Sequence, residues 1–185
     1  MEPIDSLPMA GKTVLITGGT AGIGKATALG LATMGTHVAI TGRDPARAEA
    51  AAGEIHAASG GQVDAFVADL SSQSEVRRLA DEVLHRLSRI DVLVNNAGAG
   101  VYGNVEDEDP ETLERMLQLN VVTLTLLTRL ALPGMQARGW GRILNVGSVV
   151  GYQPARTTYG GLLRKQGVRL ILFKRAGARA QGDRS

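Results

Sequence analysis

The chain has 185 residues, of which 44% are hydrophobic and 21% charged, with a formal net charge of +2; this is the composition of one ordinary globular unit and excludes a fibrous repeat or a disordered chain. Cysteine is absent, which excludes disulfide frameworks, thiol nucleophiles and Cys-ligated metals, while 24 glycines call for several tight turns or close backbone approaches. The charge is uneven: residues 1–151 carry 12 Lys/Arg against 17 Asp/Glu, and residues 152–185 carry 8 against 1.

Met1–Pro8 contains Glu2 and Asp5 and no apolar stretch of the signal-peptide kind, and no uninterrupted apolar run reaches roughly 18 residues, so a soluble, cytoplasmic protein without a membrane partner is expected. Val14–Thr17 reads as a buried strand ending at Gly18-Gly19. Ile23–Met34 keeps helical spacing and closes at Gly35. His37–Thr41 is a second strand, after which Asp44 and Pro45 stand as N-cap and first residue of an Ala-rich helix that Gly60-Gly61 ends. Val63–Ala68 is a third strand. From Ser71 or Ser72 a helix follows whose Val76, Leu79, Ala80, Val83, Leu84 and Leu87 share one face. Asp91–Val94 is a fourth strand leading into Asn95-Asn96-Ala97-Gly98. One long helix is expected over Pro110–Ala137, with Leu113, Met116, Leu117, Leu124, Leu127 and Leu130 on its apolar face and the acidic run Glu106–Asp109 at its positive end, and Arg142–Val146 is a fifth strand. Strands alternating with helices specify an α/β fold, a doubly wound parallel sheet covered on both faces.

The bend Thr17-Gly18-Gly19-Thr20-Ala21-Gly22-Ile23-Gly24 lies between the first strand and the first helix, where amides and the helix dipole can face a diphosphate. Gly18 allows the turn, Gly22 lets a ligand approach the backbone, and Gly24 lets the helix pack closely. This T-G-x-x-x-G-I-G pattern, with Asn95-Asn96-Ala97-Gly98, Leu119-Asn120-Val121 and Asn145-Val146-Gly147-Ser148 in that order, resembles the short-chain dehydrogenase/reductase family over residues 9–154. The resemblance implies a Rossmann-type sheet of about five strands, incomplete on its C-terminal side, over residues 1–154, followed by a basic tail, 155–185, outside the family pattern.

It also implies roles. The bend, through Gly18, Thr20, Gly22, Ile23 and Gly24, carries a coenzyme pyrophosphate. Asn96, Ala97 and Gly98 lie beside the adenosine ribose, and Asp69 with Leu70 reaches the adenine; Asp69 also reads as a helix cap. Thr41 stands where an acid would hold the 2′-OH of NAD, and Arg43 follows, a guanidinium matched to a 2′-phosphate, so NADP is expected over NAD; Arg43 also reads as a loop charge. Ser148 would orient the substrate oxygen and Asn120 fix a relay water, with a strand-end turn and a buried hydrogen bond to backbone as their structural alternatives.

The family's Tyr-x-x-x-Lys pair is missing: Lys165 is the sixth residue after Tyr159, about 600° on a helix, so the two would point apart. Counted from Ser148, the family's Tyr position falls on Gly161 and its Lys position on Lys165, and Tyr152 is too near Ser148 to serve. Tyr159 is the remaining proton donor. Acids vanish beyond Pro154 until Asp183, as in a shifted reading of GC-rich DNA: codons permitted for Gly167–Phe173, moved by one base, can encode Ala-Tyr-Val-Leu-Ser-Phe, a hypothesis that sequencing the gene would test. The expected function is an NADP-preferring oxidoreductase on a small alcohol/carbonyl pair with impaired activity, or a non-catalytic NADP-binding module, a pseudoenzyme or gene fragment. The family's last two strands and substrate-covering helices cannot form here, so the fifth strand is expected to be a bare edge, stability low and the substrate pocket open. The resemblance also implies a homo-oligomer paired through the long helix and the helix after the catalytic Tyr, an assembly that the loss of the second helix compromises. A nucleic-acid arm is disfavoured, since beyond Tyr152 the basic segment offers only Tyr159 and Phe173 as interleaved aromatics and no recognisable motif. His37, His56 and His85 are scattered, so no metal is expected.

Overall fold

The structure, a computed structural model, describes residues 7–100, 107–147 and 169–174. Its strands are β1 (Thr13–Ile16), β2 (His37–Gly42), β3 (Val63–Val67), β4 (Val92–Asn95), β5 (Trp140–Asn145) and β6 (Arg169–Lys174). Between them run α1 (Gly22–Thr33), α2 (Pro45–Ser59), α3 (Gln73–Arg86), α4 (Pro110–Leu117) and α5 (Leu124–Ala137). The strand order is β3-β2-β1-β4-β5-β6, with β1 to β5 all parallel. The direction of strand progression reverses between β1 and β4, and a crevice opens there at the carboxyl ends of both strands, the place where open α/β sheets take ligands.

Side chains alternate across the sheet and divide the core in two. Leu15, Ala39, Phe66, Leu93 and Ile143 face Val76, Leu79 and Val83 of α3 and Leu127, Ala131 and Met135 of α5. Val14, Ile16, Val38, Ile40, Val92 and Val94 face Ala28 and Ala32 of α1 and Ala51, Ala52 and Ile55 of α2. Alanines on that second face let the two helices sit close to the strands. Helix boundaries follow local chemistry: Asp44 accepts the amide of Arg47 at 2.8 Å, Pro45 opens α2, and Gly60 closes it in the left-handed region.

Two expectations are corrected. The long helix is not uniform, for Gln118–Thr123 winds as a π-helix between α4 and α5. The wider winding shifts the phase of the apolar stripe, so Met116, Leu127, Ala131 and Met135 are buried while Leu117 and Leu130, expected on that face, are exposed. By length and composition Pro110–Ala137 could cross a membrane; here it forms a layer against the sheet. Nor is β5 a bare edge: β6 pairs antiparallel along its whole length, from Trp140 opposite Lys174 to Asn145 opposite Arg169. The run Arg-Leu-Ile-Leu-Phe-Lys is apolar enough for a strand, and the basic residues around it concealed that.

Candidate functional site

The bend after β1 is fastened on two sides. Thr17 Oγ1 accepts the amides of Asn96 and Ala97, both at 3.0 Å, and Asn96 Nδ2 donates to the carbonyls of Thr17 and Gly18, both at 3.0 Å. On the β2 side the buried Thr41 accepts twice: its Oγ1 takes the Gly18 amide at 3.2 Å and its carbonyl the Gly19 amide at 3.0 Å. Thr41 therefore does more than vacate an acidic position; it holds the bend in place. The amides of Gly18 and Gly19 are spent on it, and the donors that can face a ligand are those of the α1 first turn.

That turn carries uncapped amides, which can attract an anion. Ala21 is its N-cap, no side chain caps it, and no acid lies in its first turn; α2 and α4, by contrast, are capped by Asp44 and Asp109. Orphan amides at a helix N-terminus attract negative charge. Gly22 sits at φ +54° with nothing within 4 Å of where a Cβ would be, so the backbone is open to a close approach. Gly24 is the reverse case: a Cβ there would lie 2.2 Å from the Gly18 carbonyl oxygen, so the helix start packs directly on the bend.

A cleft of about 470 Å³ runs from this bend along the ends of β2, β3 and β4. Of the residues singled out in the sequence, Gly18, Thr20, Arg43, Asp69, Leu70, Asn96, Ala97 and Gly98 line it. Gly22, Ile23 and Gly24 do not line it: Gly22 lines a separate hollow between α1 and α2 with Lys25 and Glu54, Ile23 is 69% exposed, and Gly24 is buried. Thr41, read in the sequence as the residue in the place of a ribose-binding acid, lines it too, as do residues not assigned there to the coenzyme: Ala21, Asp44, Arg47, Ser71, Ala99 and Leu119. Arg47 was readable in principle, since a helix starting at Pro45 places its third residue beside the β2 end.

Asp69 Oδ1 accepts both the hydroxyl of Ser71 at 2.7 Å and its amide at 3.0 Å. These bonds hold the carboxyl below its ordinary value of 3.8; burial opposes them, and the charges of Arg43 and Arg115 add lesser help. The carboxylate therefore stays charged until the pH falls below that ordinary value. It makes a turn ahead of α3, whose N-cap is Ser72, so the helix-cap alternative is replaced by an Asx turn.

Asn120, buried in the π segment, donates through Nδ2 to the Ala99 carbonyl at 2.7 Å and accepts the Ala99 amide at 3.1 Å. Its side chain is committed to the far lip of the cleft. Asn95 Nδ2 donates to Asn145 Oδ1 at 2.9 Å, tying β4 to β5 beside the cleft. Ser148, Tyr152, Tyr159 and Lys165 lie outside the described residues. His37 pairs with Asp64 at 2.6 Å and His56 with the Gly61 carbonyl at 2.8 Å, both away from the cleft.

A model of the short chain dehydrogenase family matches residues 12–171. D-beta-hydroxybutyrate dehydrogenase of Cupriavidus necator is 38% identical over 76% of this chain and 54% of its own; that of Rhizobium meliloti is 34% identical over 80% of this chain and 58% of its own. The chain thus spans little more than half the length of these curated relatives. Among solved structures, L-sorbose reductase of Gluconobacter frateurii, complexed with NADPH and L-sorbose, superposes with a TM-score of 0.78 at 31% identity, over 83% of this chain and 58% of the other. A metagenomic short-chain oxidoreductase in complex with NADP gives 0.75 at 35% identity, over 80% and 66%. A match that runs from the start of β1 into β6, on a sheet that solved members superpose on at this level of identity, leaves one ancestry: the chain belongs to the short-chain dehydrogenase family.

Proposed function

We propose that this chain binds NADP(H) in the cleft and is an oxidoreductase of alcohol/carbonyl pairs whose turnover is impaired by the placement of its remaining tyrosine. The observation that carries the coenzyme reading is the uncapped start of α1, open at Gly22, at one end of a cleft whose other end holds Arg43 and Arg47. Amides of the Gly22–Gly24 turn, with Gly18 and Thr20 below and Ile23 alongside, hold the linked phosphates. Arg43 and Arg47 hold the 2′-phosphate, which favours NADP over NAD, as guanidinium forks match phosphate geometry. Asp44 lines the same end, but its carboxylate is engaged with the Arg47 amide, so it opposes that phosphate less than a free acid would. Asp69 and Leu70 meet the adenine; Asn96, Ala97 and Gly98 form the wall beside the ribose. NADP-bound and NADPH-bound family members among the structural neighbours support this assignment.

When bound, the coenzyme supplies or accepts the hydride. The chain's part is to orient the reacting oxygen and move its proton. Ser148 is the orienting hydroxyl and Tyr159 the proton donor. Lys165 stands six residues after Tyr159 where the family spacing is four, and on a helix that offset would turn the ammonium away from the phenol. Asn120 contributes by holding the Ala99 lip. The same displacement favours a second reading, a coenzyme-binding module that performs no chemistry.

Titration of the purified chain with NADPH and NADH, followed by turnover with varied ketones, tests both. NADPH should bind about tenfold more tightly than NADH, roughly 1.4 kcal/mol, and Arg43→Ala should erase the difference. Binding without turnover selects the module. Ordinary turnover abolished by Tyr159→Phe overturns the impairment, and indifference to both coenzymes at millimolar levels overturns the cleft assignment.

A further inference from the structure

The π segment touches both walls of the cleft. Asn120 holds Ala99 on one side; three residues on, Thr123, only 3% exposed, donates through Oγ1 to the Leu70 carbonyl at 2.6 Å on the other. In α-winding, residues three apart share a face. The i→i+5 winding spreads them, and the spread lets one short segment reach two opposite lips. Gln118 Nε2 donates to the same Thr123 hydroxyl at 3.3 Å, fixing its lone pair so that its proton goes to Leu70.

We infer that Thr123 is a positioning residue of the cleft, acting through the Leu70–Ser71 peptide to set the Asp69 carboxylate for the adenine; this rests on the coenzyme reading above. The carbonyl and the amide hydrogen of a trans peptide point in opposite directions. Anchoring the Leu70 oxygen on Thr123 therefore turns the Ser71 amide away from the π segment, where Asp69 Oδ1 takes it at 3.0 Å. The Ser71 hydroxyl closes on that same oxygen at 2.7 Å. Both bonds fall on Oδ1, which leaves Oδ2 outside the turn, on a residue that lines the cleft, as an acceptor for an exocyclic amine. A hydroxyl 53 residues beyond Leu70 thus sets the orientation of a carboxylate it does not touch.

The test is a double-mutant cycle read by binding of 2′,5′-ADP, which occupies only the adenosine half, with nicotinamide mononucleotide as the other half. Thr123→Val and Asp69→Asn should each weaken 2′,5′-ADP about tenfold, the double variant also about tenfold because both remove one contact, and the mononucleotide should change less than about twofold. Thr123→Ser, which keeps the hydroxyl, should bind within about threefold of wild type. If Thr123→Val does not fold, Thr123→Ala takes its place in the cycle. A hundredfold loss in the double variant, or Thr123→Val that binds like wild type, overturns the inference alone. Wild-type protein that ignores 2′,5′-ADP overturns the coenzyme reading and the inference with it.

Discussion

A methyl group at Gly22 and one at Gly24 would meet opposite surroundings two residues apart. At Gly22 there is open space and φ of +54°, so alanine pays the left-handed strain, about 1–2 kcal/mol, and nothing else in the folded chain. At Gly24 the methyl would sit 2.2 Å from the Gly18 carbonyl oxygen and 2.5 Å from Asn96 Nδ2, neither free to move without undoing the Thr17–Asn96 fastening. Gly24→Ala should therefore lower stability by about 3 kcal/mol, the upper end of overpacking costs. Gly22→Ala should keep most of its stability but lose NADPH affinity, because the methyl fills the approach to the α1 amides. Urea midpoints and NADPH titrations of the two variants check this; Gly22→Ala binding as tightly as wild type would remove the cradle from the account. Both glycines stand out in the sequence motif, but their division of labour does not, since it depends on what lies across the bend.

Among the elements, β3 forms the outer edge of the sheet and has its own guard. The Gln62 carbonyl and the Ala68 amide point to β2, so along an alternating ladder Val63, Ala65 and Val67 turn theirs outward. Arg78 Nη2 donates to the Val67 carbonyl at 2.5 Å and Arg86 Nη1 to that of Ala65 at 3.4 Å, with the Arg86 guanidinium 4.3 Å above the Phe66 ring. Glu75, Glu82 and Asp64 hold the two arginines in place. Exposed ion pairs of this kind add little to stability; occupying edge acceptors blocks strand addition. The variant Arg78→Ala/Arg86→Ala should show concentration-dependent association in sedimentation velocity, and so, more weakly, should Arg78→Ala alone, while Arg77→Ala, which like Arg78→Ala removes one charge from the same helix but no edge contact, should not. Equal behaviour of the double variant and Arg77→Ala would show that the arginines leave association unaffected. Periodicity made α3 readable as an amphipathic helix; which exposed arginines cover β3 depends on how the helix docks.

For the whole molecule, the cleft joins the two halves of the sheet. One wall comes from β1, β2 and β3 with their helices, the other from β4 and the long helix, and both apolar layers of the sheet run across the two halves. A ligand there bridges both halves and binds only the folded chain. At a hundredfold excess over Kd, NADPH should stabilise the fold by about 2.7 kcal/mol, raising Tm by roughly 5–10 °C at about 2–4 °C per kcal/mol for a chain of this size. Differential scanning calorimetry measures this, and an unmoved transition at millimolar NADPH would contradict the cleft assignment.

Local chemistry alone determined the alternation of strands and helices, the caps at Asp44 and Asp109, the break at Gly60 and the glycine bend, because each depends on residues within one or two turns of one another. Tertiary structure decided the rest. The amides of Gly18 and Gly19 are withdrawn by Thr41, 23 residues from Gly18; the bend is locked by Asn96, 79 residues from Thr17; and β5 gains a partner from within the basic tail. The π segment belongs here too, since its hydroxyl and amide bond to Leu70 and Ala99. Hydrogen bonds between residues so far apart exist only after the sheet has brought them together, and no window of sequence contains both partners.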